Sequence, residues 1–153
     1  MAAAWVGTAA RMAVAETALF LAGKSDLARL RGAVDAFIVH WPWLEQRRAK
    51  NGTHIPPYNI APYYFYFGHR YAATAVELLP EAERPEYRRR ILQLLWATRA
   101  DDGSWNDRVF PRSAAFGTSM AVLTILAPDA PRPAPWAAAP TKAPGAELAP
   151  GSP

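Results

Sequence analysis

Apolar residues in this chain follow two patterns, and the two alternate. In the first, they recur at helical spacing on one stripe. Leu27, Leu30, Val34, Phe37, Ile38 and Trp41 do so, with Arg29, Arg31 and Asp35 on the remaining sides. This predicts an outer, amphipathic helix over 26–48, capped by Ser25 and kinked or restarted at Pro42. Tyr87, Ile91, Leu94, Leu95 and Thr98 repeat the pattern, predicting a second outer helix over 85–99 that starts at Pro85. In the other pattern, apolar residues occupy nearly every side, as expected of an interior helix. It covers 8–22, where Thr8 is the expected cap and Gly23 the expected C-terminal stop. It returns over 61–79, which opens on the aromatic run Tyr63-Tyr64-Phe65-Tyr66-Phe67, and over 114–126, which has no charged residue. A strand over 63–67 would also suit the aromatic residues, but the continuation through Ala72-Ala73-Thr74-Ala75-Val76 favours helix.

The interior helices recur about every 50 residues, a spacing expected of a helix-pair array. The stretches before two of them also match. Arg48-Ala49-Lys50-Asn51-Gly52-Thr53-His54 aligns with Arg99-Ala100-Asp101-Asp102-Gly103-Ser104-Trp105, then Gly68 with Gly117, and Leu79-Pro80 with Ala127-Pro128. Each copy therefore reads as a tight turn feeding a helix. From about Asp129 onward Pro and Ala dominate, and large apolar residues are too few to build a core. The expectation is a helical domain over 1–128 and a disordered tail over 129–153, with Trp136 its one sizeable anchor.

Composition narrows the chemistry. Hydrophobic residues make up 51% of the 153-residue chain and charged residues 20%, enough for a packed core. The net charge of +4 comes largely from scattered Arg. The densest run, Arg88-Arg89-Arg90, sits among Glu81, Glu83 and Glu86 and reads as a solvated helix face, so no nucleic-acid partner is expected. Cysteine is absent. That removes disulfides, thiolate catalysis and zinc sites that need a Cys ligand. No apolar run reaches the length of a membrane span, and 1–15 is a poor signal peptide, so a soluble chain is the expectation.

Asp102-Gly103-Ser104-Trp105 followed by Phe116-Gly117-Thr118-Ser119-Met120-Ala121-Val122-Leu123 resembles the repeat of squalene cyclases and protein prenyltransferase β subunits. The resemblance covers most of 8–128 and is strongest over 102–126. It implies an all-α fold, a partial α/α toroid with inner and outer helices alternating. Two features depart from the family pattern. Arg99 and Arg48 stand where the family places a Gln that ties the turn, and His54 stands where the first copy would carry Trp. Five helices also fall short of a complete toroid. The resemblance then implies a missing toroid half or self-association, and an apolar or isoprenoid-like ligand.

No complete catalytic set accompanies the resemblance. Asp101-Asp102 lacks the Asp-x-Asp-Asp spacing of a cyclase acid motif and belongs to the turn. The prenyltransferase zinc site needs Cys. His40, His54 and His69 fall on an outer helix, a turn and an inner helix, so neither metal nor cofactor is expected. Charged groups on interior helices are costly unless paired, so Glu16, Arg11 and Arg70 are expected to pair with one another or to face a wet cavity. The candidate cavity-lining residues are Glu16, Tyr64, His69, Arg70 and Trp105. The leading reading is a binding or structural module of a larger toroid without a complete catalytic centre. The alternative is an isoprenoid-handling cyclase or transferase whose acid lies on a missing N-terminal segment.

Overall fold

The computed structural model describes residues 3–52, 54 and 61–132, with side chains from residue 8 onward. Five α-helices carry the chain: α1 (Ala3–Leu21), α2 (Leu27–Arg47), α3 (Tyr64–Val76), α4 (Arg84–Trp96) and α5 (Ala114–Ile125), with short 3-10 turns at Pro111–Ser113 and Ala127–Asp129. No strand occurs among the described residues, and the aromatic run leads into α3 as helix. Residues 133–153 of the expected tail, with Trp136, lie outside the described residues, as do Thr53 and 55–60.

The helix ends show local chemistry at work. α1 stops at Gly23, which takes a φ of +68°. The Gly23 N–H bonds the Phe20 carbonyl and the Lys24 N–H the Leu19 carbonyl, the paired bonds of a Schellman ending. α1 begins at Ala3, so Thr8 lies inside the helix rather than capping it. Alanine, frequent in this stretch, favours helix on its own. Asp26, not Ser25, caps α2, its carboxylate accepting the Arg29 N–H at 2.9 Å. α2 runs through Pro42 without a restart. Pro42 is exposed, so its ring does not enter the core. α3 is shorter at both ends than its sequence pattern. Tyr64 and Phe65 bond back three residues at its start, as do Leu78 and Leu79 at its end.

α3 is the hub, packing against each of the other four helices. α2 lies across α1 and α3, and α4 across α3 and α5. The helices thus form an inner row, α1–α3–α5, with α2 and α4 laid outside it. Large core side chains come mainly from the middle of the assembly: Leu30, Val34, Phe37 and Leu44 from α2, Phe65 and Tyr66 from α3, Ile91 and Leu95 from α4. Each such burial is worth about 1.5–3 kcal/mol.

The outermost inner helices contribute small residues instead, Ala9, Ala10 and Ala13 from α1 and Gly117, Ala121 and Thr124 from α5. Neither is buried all round, which corrects the interior reading of both. Arg11, Ala15 and Ala18 of α1 face water, as do Val122 and Leu123 of α5. α3 is the most enclosed of the three, although Tyr64, Phe67, Tyr71 and Thr74 along one side are only half-buried.

Glycines set the close approaches. A Cβ on Gly68 would lie 2.8 Å from a Phe37 ring carbon and 3.2 Å from Ala10 Cα, so Gly68 lets α1 and α2 close onto α3. A Cβ on Gly117 would lie 2.3 Å from the Trp105 carbonyl oxygen. The two glycines that align in sequence both mark close contact, but with different partners.

Candidate functional site

The second turn is a built unit. Gly103 takes a φ of +86°, and the Ala100 N–H bonds the Ser104 carbonyl at 2.9 Å. Asp102 accepts the Ser104 N–H at 2.9 Å, and hydrogen bonds from Ser104 hold its carboxyl below the ordinary range. Asp101-Asp102 therefore belongs to the turn. Trp105 is 4% exposed. Its indole N–H donates to the Leu95 carbonyl at 3.1 Å, and its backbone N–H donates to Thr118 Oγ1 at 3.1 Å. One residue thus ties the end of α4 to the start of α5. Arg99 donates from Nε to the Gly103 carbonyl at 3.1 Å and lies over the Trp96 and Trp105 rings.

The first turn solves the same problem one residue earlier. Arg47, not Arg48, reaches its carbonyls, donating to Asn51 at 3.1 Å and Gly52 at 3.2 Å. Arg48 instead pairs with Glu45 at 3.0 Å. The sequence alignment of Arg48 with Arg99 is therefore off by one in function. A single residue turns the side chain by about 100° around a helix, so Arg47 and Arg48 cannot both face the turn.

The five candidate residues fall in separate surroundings. Glu16 accepts hydrogen bonds from Ser25 Oγ and from Arg29, the latter at 2.8 Å, and these lower its pKa, with Ser25 the larger cause. It braces the α1–α2 connection. Arg70 donates to the Leu123 carbonyl at 3.3 Å, joining α3 to α5. Arg11 lies over the Tyr64 ring, 5.2 Å from its centre. Glu16, Arg11 and Arg70 thus find separate partners rather than one another. His69 is fully buried, and Trp105 closes its turn.

His69 is the polar centre of the core. Its Nε2 accepts the Trp41 indole N–H at 3.0 Å, and its Nδ1 lies 3.0 Å from the Phe65 carbonyl. The imidazole that fits both is neutral, with its proton on Nδ1. Phe37, Phe65 and Tyr66 surround it with rings centred 4.9, 4.8 and 5.9 Å away. Burial lowers its pKa to about 4. This arrangement holds a ring in place and keeps it uncharged.

Asp107 was not among the expected residues. It is fully buried, and neither carboxylate oxygen has a hydrogen-bond partner. Arg108 Nε stands 3.8 Å from Oδ1, beyond hydrogen-bond reach. The start of α3 has no capping side chain of its own, and the Tyr66 N–H in that first turn faces Asp107. Burial nevertheless dominates and pushes its carboxyl up to about 6. The Asp107 carbonyl accepts the Ala49 N–H at 2.9 Å, so this loop also straps the end of α2. Nothing in the sequence marks an Asp between Asn and Arg as buried.

The Arg88–Arg90 run makes local contacts. Arg88 bonds Glu77, Arg89 bonds Glu86, and Arg90 lies over the Tyr87 ring. Among the described residues no three His, Cys, Asp or Glu side chains are grouped to hold a metal, and no helix is long and apolar enough to cross a membrane. An open cleft of ≈ 240 Å³ lies between the Lys50–Gly52 turn, the start of α3 and the loop at Arg108–Phe110. No family model matches this chain, and neither a curated protein nor a solved structure matches it.

Proposed function

We propose that this chain is a repeat module of the squalene-cyclase and prenyltransferase type, serving as a binding or structural part of a larger two-layered array rather than carrying a complete catalytic centre. The end of the inner row carries this reading. α5 has no charged residue, and it buries only a narrow stripe of small residues. Val122, Leu123 and Leu126 remain 42%, 43% and 48% exposed. Helical arrays that end in water carry a polar outer face on the last repeat. α5 has the face of a middle repeat, and another helix stacked there would remove it from water.

Light scattering behind size-exclusion chromatography tests this. The expected result is a mass above that of one chain, returned to one chain by Leu126→Glu. A monomer at all concentrations that binds no apolar dye, with or without Leu126→Glu, would overturn the reading.

The alternative, an isoprenoid-handling cyclase or transferase whose acid lies on another segment, has one observation in its favour. A half-buried series of rings runs along α3, with Tyr63–Tyr64, Tyr64–Phe67 and Phe67–Tyr71 centres 4.6, 6.0 and 4.7 Å apart. Such π faces suit an apolar or cationic guest. Arg11 and Arg108 already cover Tyr64 and Tyr63, however, which favours the module reading. Saturable binding of farnesol, lost in Tyr64→Ala, would reverse that preference.

A further inference from the structure

We propose that the cleft between the Lys50–Gly52 turn and the Arg108–Phe110 loop binds a small organic anion, its charged group on Lys50 and Arg108 and its apolar body against Pro62, Val109 and Phe110. This does not depend on the assembly reading, because the cleft lies at the turns rather than on the exposed face of α5.

Arg108 is the central observation. Its guanidinium lies over two rings, 5.6 Å from the centre of Tyr63 and 5.3 Å from that of Phe116. Aromatic stacking holds a guanidinium in place while leaving its edge donors unused. Among the described residues no acceptor bonds it. Its Nε is buried without a partner, and the Asp107 oxygen at 3.8 Å is too far. The side chain is still 40% exposed, so its end reaches the cleft.

The second cation is Lys50, exposed on the opposite lip. Of the other cations nearby, Arg112 lies over the Phe110 ring, 5.3 Å from its centre. Arg48 pairs with Glu45, and Arg47 donates to the Asn51 and Gly52 carbonyls. Lys50 and Arg108 are left lining one opening, and the buried Asp107 carboxylate, 3.8 Å from Arg108, hydrogen-bonds neither.

The apolar lip sets the rest of the ligand. Val109 and Phe110 are 42% and 52% exposed beside these cations. A bare inorganic ion would leave them in water, whereas an anion with an attached ring or short chain would cover them. The volume of ≈ 240 Å³ is below the range of about 300–1,000 Å³ for drug-sized sites. A single-ring carboxylate or phosphate ester is therefore the class that fits.

The test is a titration of the full chain with phenyl phosphate, followed by amide chemical shifts. Benzyl alcohol and inorganic phosphate serve as the neutral and the bare-anion comparisons. Saturable shifts confined to residues 50–52, 62–63 and 108–110 are expected, with weaker binding of both comparisons. Lys50→Gln, on an exposed residue, should keep the fold and weaken phenyl phosphate by about tenfold or more, the scale of one charge-assisted hydrogen bond. Arg108→Gln should weaken it at least as far. Unsaturable or scattered shifts, equal binding of benzyl alcohol or inorganic phosphate, or unchanged affinity in a folded Lys50→Gln would each overturn the proposal.

Discussion

Asp107→Asn should gain stability relative to the unsubstituted protein as pH rises toward 8 and give up that gain in acid. The reasoning begins with a carboxyl that is fully buried with both oxygens unbonded. Burial raises its pKa from 3.8 to about 6. Arg108, the Tyr66 N–H and Arg48 pull the other way without reversing the sign. Between those two values the native protein keeps a proton that the unfolded chain has released. Stability therefore falls as pH rises through this window. Above it, the buried charge costs about 3 kcal/mol relative to an unperturbed carboxyl. Asn has nearly the same shape and carries no charge. Urea unfolding of both proteins, followed by tryptophan fluorescence from about pH 3.5 to pH 8, gives the difference directly. It should move in favour of Asn by about 3 kcal/mol across that range. The pH-dependent part is the measure, because a buried amide NH₂ adds a constant penalty of its own. If the difference were flat, or if Asn lost ground as pH rose, the carboxylate would be a stabilising cap and the reasoning would be wrong.

His69 has the opposite dependence. With its pKa lowered from 6.5 to about 4, the unfolded chain takes up a proton first, and stability falls by about 3 kcal/mol as pH drops through that window. His69→Gln should remove this acid slope in the same unfolding assay. Gly117→Ala places a methyl 2.3 Å from the Trp105 carbonyl oxygen, so the turn or α5 must shift. A loss of about 1–3 kcal/mol or more is expected in thermal or urea unfolding. Gly32→Ala is the control: its Cβ meets nothing within 4 Å on α2, and a gain of about 0.5–1 kcal/mol is expected from the helix preference alone.

Helix identity was readable from residue order because its causes are local. Apolar spacing places α2 and α4, Gly23 ends α1 through its left-handed backbone, and Pro85 opens α4. Gly103 forms its turn through a left-handed backbone, and Asp102 through a carboxylate that accepts the N–H two residues on. The all-helical fold and the alternation of outer with inner helices follow from these signals, as do the two aligned glycines. The cap of α2 missed by one residue because adjacent residues compete, whereas Thr8 fell inside a helix that already runs from Ala3. Ser25 and Asp26 are both good caps, and the distant Glu16 claims the first.

Tertiary packing decided what periodicity could not orient. α5 has no charged residue and α1 only Arg11 and Glu16, so their sequences say little about which side turns inward. Only the position of α3 between them assigns buried and exposed faces. The same holds for charge. Whether Arg47 or Arg48 serves its turn depends on how α2 is rotated. The burial of Asp107 depends on a loop closing over the start of α3, across forty residues of chain. Residue order alone determined where this chain coils and where it bends, since neighbours along the backbone settle that. Which groups end up dry, and at what cost in charge, is settled by residues distant in sequence and adjacent in space.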